Sequence, residues 1–260
     1  MNTSRRSFLK VAGLSAFALT SGMAALTGVA EAKIAPGTYE RGEKALKAKR
    51  WAMVIDTRKF SGPDDYKPLI EACHKVHNVP AVPGDKNIKW FWLDKYQHVF
   101  PDDMNPHLNE KSKQASYPLL CNHCTNPPCV RVCPTQATYK MEDGIVAMDY
   151  HRCIGCRFCM AGCPYGARSF NFVDPRKFLP AEAPNPAYPT RMIGVVEKCT
   201  FCAERLAEGK MPACVEASGG KILFGDLEDP NSTVRQALAA NFSIRRKPNL
   251  GTQPGVYYLI

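Results

Sequence analysis

The sequence lacks nearly every signature that marks an enzyme. It has no dinucleotide glycine fingerprint, no P-loop, no nucleophile elbow and no HExxH zinc motif. None of its Cys-x-x-Cys pairs is followed by His, since Thr125, Arg157, Met160 and Ala203 stand there, so covalent haem is excluded. No RNA-binding motif is present, and Arg245-Arg246-Lys247 is too short a basic run for a nucleic-acid patch. A nucleic-acid partner is therefore not expected. Beyond one N-terminal stretch, no apolar run is long enough to span a bilayer. Cysteine is missing before Cys73 and after Cys214. What remains is a chain of 260 residues with 12 Cys, 21 Pro and 18 Gly. Its cysteine content is too dilute for a disulfide mini-protein. At 45% apolar and 22% charged it is ordinary globular material, long enough for one or two domains.

Residues 1–32 read as an address. Ser4-Arg5-Arg6-Ser7-Phe8-Leu9-Lys10 precedes an uncharged stretch from Val11 to Ala30, and Ala30-Glu31-Ala32 offers small residues for cleavage. The pattern predicts a Tat signal peptide over 1–32 and a mature domain over 33–260. The expected location is periplasmic, peripherally bound to the outer face of the inner membrane. An alternative keeps the segment as an uncleaved anchor, which three glycines weaken. A Tat substrate crosses folded, so metal sites can be assembled in the reducing cytoplasm beforehand.

Eight of the cysteines fall between Cys121 and Cys163. The first block is Cys121-x2-Cys124-x4-Cys129-x3-Cys133-Pro134. The second, Cys153-x2-Cys156-x2-Cys159-x3-Cys163-Pro164, has the bacterial ferredoxin spacing. A tight loop aims three thiolates at one cuboidal cluster, and the fourth Cys of each block serves the other cluster. Cluster 1 is thus assigned to Cys121, Cys124, Cys129 and Cys163, and cluster 2 to Cys133, Cys153, Cys156 and Cys159. Zinc ribbons share the Cys-x2-Cys pair but need neither the third Cys nor the Cys-Pro ending. A further half pattern is Cys199-x2-Cys202-x11-Cys214-x3-Ser218, with Ser where a fourth Cys would fall.

These blocks resemble the four-cluster electron-transfer subunits with tandem ferredoxin folds that serve membrane-bound anaerobic respiratory complexes. In that family an N-terminal strand leads into a first Cys block, and the fourth block carries a long insert. Trp51-Ala-Met-Val-Ile-Asp56 resembles the lead-in, but Phe60-Ser-Gly-Pro63-Asp-Asp-Tyr66 follows without cysteine, until Glu71-Ala-Cys73-His restores the pattern. By the crossing rule, the four ligands of one cluster are all missing here, Ser218 included. The resemblance implies that Cys73, Cys199, Cys202 and Cys214 hold cluster 3. Three [4Fe-4S] clusters then account for all 12 Cys. The alternative makes Cys73 a structural thiol, leaving two [4Fe-4S] clusters and one [3Fe-4S]. The match in detail is to the iron–sulfur subunits of Dsr-type membrane complexes of sulfur metabolism. It is carried by Trp51 to Lys59, Ala72 to Pro80, His151 to Arg168, Val196-Glu-Lys-Cys199 and the tail from Ile244 to Tyr258. It implies a multi-pass, quinone-interacting membrane subunit and a multihaem cytochrome c as partners. The alternative is an electron-transfer subunit of a molybdopterin oxidoreductase, such as a polysulfide or tetrathionate reductase.

The expected fold class is α+β: two pseudo-symmetric ferredoxin-like units with loop-rich insertions. The inner two-cluster unit is placed at about 117–170, the outer at 51–80 plus 195–226, with a C-terminal docking tail over 227–260. Thr138–Met141 and Ile145–Asp149 read as a β-hairpin around Glu142-Asp143-Gly144, and Trp51–Asp56 and Lys221–Phe224 as outer strands. Pro175 to Pro189 holds five prolines and reads as an extended connector. Asn231 or Ser232 is placed to cap a helix through Val234 to Ala240. Lys89-Trp-Phe-Trp-Leu93 reads as a buried strand, with a docking surface as the other reading. Tyr257 to Ile260 either packs on the core or docks a partner. His123 is expected at a solvent edge beside a cluster or as an exposed loop residue. Lys198 and Arg205 flank the third motif as solvated charges or as cations that raise a cluster's potential.

No catalytic residue is assigned. Electron transfer needs no substrate pocket, whereas cluster-based catalysis would need an iron with an open position, and four thiolates per cluster leave none. A purely structural role for the clusters fits neither export nor three adjacent sites. The formal charge is +10. Residues 1–32 hold three basic and one acidic residue, leaving +8 on the mature chain. Each oxidised four-thiolate cluster carries about −2, so the basic excess reads as internal compensation.

Overall fold

Trp51–Asp56 (β1) is apolar on successive residues because it is buried on both faces. Trp51, Met53 and Ile55 face the main core, while Ala52 and Val54 face a second layer built on helix Thr233–Ala240. The computed structural model describes residues 42–179 and 184–260. The export segment 1–32 and the centre of the proline-rich connector, 180–183, lie outside the described residues.

The remaining strands, in chain order, are β2 (Phe91–Lys95), β3 (Ser116–Leu120), β4 (Thr138–Lys140), β5 (Val146–Met148), β6 (Ser169–Phe170), β7 (Val196–Glu197), β8 (Ile222–Asp226), β9 (Ser243–Ile244) and β10 (Val256–Leu259). One sheet has four strands in the order β8-β1-β10-β9. In it β1 runs parallel to β10 and antiparallel to β8. The pairs β2–β3, β4–β5 and β6–β7 are two-stranded and antiparallel. The rest is short helices and loops, giving a mixed helix and strand fold. No helix among the described residues is long and apolar enough to cross a membrane.

The hairpin forms where the sequence places it, as β4 and β5. The outer strand begins one residue later than expected and runs to Asp226, pairing fully with β1. Ser232 caps helix Thr233–Ala240, its side chain accepting from Arg235 N–H. Lys89–Leu93 feeds β2, with Trp90 and Phe91 buried, so it is core. The described start of the connector is not extended, for Pro175–Phe178 forms a 3-10 turn capped by Asp174.

The segment 227–260 is not a free tail. Its last strand, β10, lies inside the four-stranded sheet, with Tyr258 buried and donating to the Pro118 carbonyl at 2.9 Å. The apolar alternation of Val256-Tyr-Tyr-Leu259 is what β1 needs on its open edge. Arg246 stacks over Tyr165 at 5.4 Å, and Lys247 Nζ donates to the Pro164 carbonyl. Arg246 and Lys247 therefore clamp the tail to the turn after Cys163.

A buried polar knot joins the outer elements. Glu197 accepts from Trp90 Nε1 at 3.0 Å and Asn171 Nδ2 at 2.6 Å, and pairs with Arg191 Nη2 at 2.7 Å. Arg191 also donates to the carbonyls of His77 and Asn78, closing the end of helix Lys67–His77. Both partners are essentially inaccessible, so removing one strands the other. We expect Arg191→Met to destabilise the folded protein by about 3–5 kcal/mol, because Glu197 is then left buried and uncompensated. Anaerobic urea titration checks this, and Arg191→Met with Glu197→Gln together should cost less than Arg191→Met alone.

Candidate metal centres

The ligand loops wind tightly because residues between the cysteines adopt left-handed backbone. His123 (φ 40), Arg157 (φ 62), Phe201 (φ 55) and Cys202 (φ 53) do so without being glycine. Gly155 is required: a Cβ there would lie 2.3 Å from the Gly194 carbonyl oxygen. Short helical turns then carry the next cysteine of each block. Cys129 sits in Pro128–Arg131, Cys159 in Phe158–Ala161 and Cys214 in Ala213–Ala217. Cys73 comes from helix Lys67–His77, where Leu69, Cys73 and His77 form one buried stripe at four-residue spacing.

The structure brings the twelve cysteines into neighbouring groups. Cys121, Cys124, Cys129 and Cys163 line one cavity, alongside Tyr165 and Arg168. Burial pushes the Cys124 thiol up to about 12, with Cys121, Cys129 and Cys163 adding to the rise and a Thr252 hydrogen bond opposing it. Cys133, Cys153 and Cys159 pack in one small cluster around Val146 and Met148. Cys156 shares their loop and is the one exposed cysteine of the twelve. Cys133 behaves differently from the buried thiols. Burial raises it, but N–H groups of Thr135, Ala137 and Thr138 and the Thr135 hydroxyl outweigh burial and hold it below the usual thiol range. Around Cys202 lie Cys214, Cys73 and Cys199; burial first, then these neighbours and Glu204, push its thiol well up. The Cys199 and Cys202 sulfurs each accept a backbone N–H at 3.4 Å, from Phe201 and Ala213.

The first group adjoins both of the others. Cys129 of the first group packs with Cys159 of the second. Burial pushes the Cys199 thiol of the third group up, with Cys121 of the first adding to the rise. His123 and Phe201 stack at 3.7 Å across the junction of the first and third groups. Each ring comes from inside a Cys-x2-Cys pair.

His123 is not at a solvent edge. It is buried, its Nδ1 accepts from the Val146 N–H at 3.0 Å, and burial, then Lys198, hold it well below the usual histidine range. Lys198 is likewise not solvated. It is fully buried, with Nζ donating to the carbonyls of Val146 and Cys199. Arg205 is nearer the sequence reading, pairing with Glu216 at 2.5 Å on the surface side.

Two residues escape sequence reasoning. His77 Nε2 lies 2.8 Å from Glu204 Oε1, and its Nδ1 lies 2.8 Å from the Cys73 carbonyl and 3.8 Å from the Cys73 sulfur. His77, Cys202 and Glu204 place one donor atom each within 4.8 Å of one another. No sequence signal joins positions 127 residues apart. The pair orients both cysteine-bearing elements of the third group, as a carboxylate–histidine pair does around many metal sites.

The place of the missing ligand set is filled. Phe60 and Tyr66, from the cysteine-free stretch, stack at 4.2 Å. Lys221 Nζ, three residues after Ser218, sits 5.0 Å from the Phe60 ring and 3.7 Å from Asp65. Ser218 is buried, donating to the Val215 carbonyl and accepting from Ile222 N–H. Lys221 thus joins the segment after Ser218 to the cysteine-free stretch.

The donor chemistry fits iron–sulfur clusters. Crowded buried thiols cannot all ionise without a cation among them. Buried polar atoms without a protein partner gather beside them: both side-chain atoms of Asn122, His123 Nε2, Arg168 Nη2 and Thr200 Oγ1. Several of these are donors that sulfide and thiolate ligands of a cluster would satisfy.

Residues 113–175 match the family model of the 4Fe-4S dicluster domain. The protein is thus of the ferredoxin type in that region. It is 41% identical to the Hdr-like menaquinol oxidoreductase iron-sulfur subunit 1 of Archaeoglobus fulgidus, covering 93% of this chain and 96% of the relative. It is 36% identical to the B component of tetrathionate reductase from Salmonella typhimurium, covering 100% and 89%. It is 37% identical to the menaquinone reductase iron-sulfur cluster-binding subunit of Nitratidesulfovibrio vulgaris, covering 81% and 88%. The protein belongs to this family of iron–sulfur subunits of oxidoreductase complexes. Its role is electron transfer, as a subunit distinct from the catalytic one.

Proposed function

We propose that this chain carries three [4Fe-4S] clusters as a wire, on two tandem ferredoxin-like units, in a periplasm-facing, quinone-linked respiratory membrane complex of sulfur metabolism of the Dsr type. Cluster 1 is held by Cys121, Cys124, Cys129 and Cys163, cluster 2 by Cys133, Cys153, Cys156 and Cys159, and cluster 3 by Cys73, Cys199, Cys202 and Cys214. The observation that carries this reading is the nearness of the cysteines to one another: Cys121, Cys124, Cys129 and Cys163 line one cavity, Cys133, Cys153 and Cys159 pack in one cluster, and Cys73, Cys199 and Cys214 lie around Cys202. The clusters, when bound, supply one-electron chemistry. The chain's own residues position them, keep water from clusters 1 and 3, and leave cluster 2 accessible at Cys156. Residues 1–32 direct Tat export, and the complex lies on the outer face of the inner membrane. A multi-pass quinone-interacting subunit and a multihaem cytochrome c are its partners.

A second reading places the chain in a molybdopterin oxidoreductase. It is favoured by the tetrathionate reductase component, which matches along all of this chain. It is favoured also by the B component of polysulfide reductase from Wolinella succinogenes, 42% identical over 53% of this chain and 63% of the relative. Purifying the tagged native complex separates the two, since covalent haem supports the first and molybdenum the second. In either case we expect about twelve iron per chain and three interacting [4Fe-4S] signals in the reduced EPR spectrum. About sixteen iron, or a cluster held through Ser218, would sink the three-cluster reading.

A further inference from the structure

Two buried cations stand at the two junctions of the cysteine groups. Arg168 is 5% exposed, and its Nη1 donates to Thr138 Oγ1 at 2.9 Å. Its Nη2 is buried without a protein hydrogen-bond partner. It lines the cavity of the first set, and its Nη1 also lies 3.8 Å from the sulfur of Met148, which packs with Cys133, Cys153 and Cys159 of the second. Lys198 is 0% exposed and donates only to carbonyls. One of those carbonyls belongs to Cys199 of the third set, and the other to Val146, which lines the cavity of the first set.

Among the described residues neither cation pairs with a carboxylate, whereas the buried Arg191 pairs with Glu197 at 2.7 Å. A buried cation with no counter-charge costs several kcal/mol by order of magnitude, so a chain that keeps two must supply negative charge nearby. The groups available at both places are cysteine thiolates. We propose that Arg168 and Lys198 are shared counter-ions that set the potentials of the clusters they separate: Arg168 for clusters 1 and 2, Lys198 for clusters 1 and 3.

The reasoning is Coulombic and rests on the three-cluster reading above. Reducing a cluster adds a negative charge and disfavours reduction of its neighbour. A cation held between them stabilises the reduced form of both and offsets that repulsion. Cluster 1 touches both junctions, so it receives both contributions. Neither residue is a ligand, so each acts through position and charge.

The test is an EPR-monitored redox titration of the purified complex, with iron content measured alongside. Arg168→Met should lower the reduced-to-oxidised ratio of clusters 1 and 2 at a fixed potential by about tenfold, equivalent to about 59 mV for one electron, and leave cluster 3 in place. Lys198→Met should lower clusters 1 and 3 and leave cluster 2 in place. Arg168→Lys and Lys198→Arg should restore most of each shift. Full iron with no shift, or a shift confined to one cluster, overturns the proposal. If a Met variant loads poorly, rescue of iron by the charge-conserving variant supports the counter-ion role, and failure of that rescue overturns it. A wild-type complex without three EPR centres would instead refute the three-cluster reading, a separate outcome.

Discussion

Cys73→Ala should remove one cluster and leave two. Iron should fall from about twelve to about eight per chain, with the signal of cluster 3 lost and those of clusters 1 and 2 retained. The reason is geometric. Cys73 is the one thiol that brings helix Lys67–His77 into the third group, and Cys214, Cys199 and Glu204 surround it. Burial pushes this thiol well up, so it is a poor nucleophile unless a metal takes its proton's place. The helix has a second tether, since His77 pairs with Glu204, so the segment should stay docked without the cysteine. That confines the loss to cluster 3. The rival reading, a three-iron cluster on Cys199, Cys202 and Cys214, predicts a different result. There Cys73→Ala would leave iron content and the oxidised EPR signal unchanged, and that outcome would remove Cys73 from the ligand set.

Sequence alone reaches the cysteine grammar because the spacing within each block is local. Spacings such as Cys153-x2-Cys156-x2-Cys159 are set by one loop, so they read directly from the chain. The β4–β5 hairpin and the Ser232 cap are legible for the same reason. What is not legible depends on contacts between distant segments. Lys198 and His123 carry no local mark of burial, yet one is wholly enclosed and the other stacked on Phe201. The pairing of His77 with Glu204, and of β10 with β1, joins elements far apart in the chain. The tail is ambiguous on the same ground: an aromatic terminus reads alike whether it completes a sheet or meets a partner. The cysteine-free stretch is visible in the sequence, but the stacking of its Phe60 and Tyr66 is not.

Stripping the iron should abolish the cooperative fold of residues 42–260. The regular structure is modest, and two apolar clusters include cysteines among their buried members. Cluster binding is therefore folding energy for the elements that carry them. Loss of metal acts twice at the junctions. The thiols must regain protons, and Arg168 and Lys198 lose their counter-charge while still buried. Anaerobic chelation followed by circular dichroism should show loss of the native melting transition, restored on reconstitution with iron and sulfide. The sign of the pH dependence in the iron-free chain also follows. Burial raises the thiols of Cys124 and Cys214 to about 12, while an unfolded thiol titrates near 8.5. Between those values the folded form holds protons that the unfolded form releases. Whatever structure survives chelation is thus most stable below about pH 8.5 and is lost as pH rises toward 12. The residual circular dichroism signal of the iron-free chain should fall between pH 7 and pH 10, and the signal of the loaded protein should fall much less. An iron-free chain that kept the loaded protein's cooperative melt would show that apolar packing alone holds these loops, and the cation–thiolate account of the junctions would fail with it.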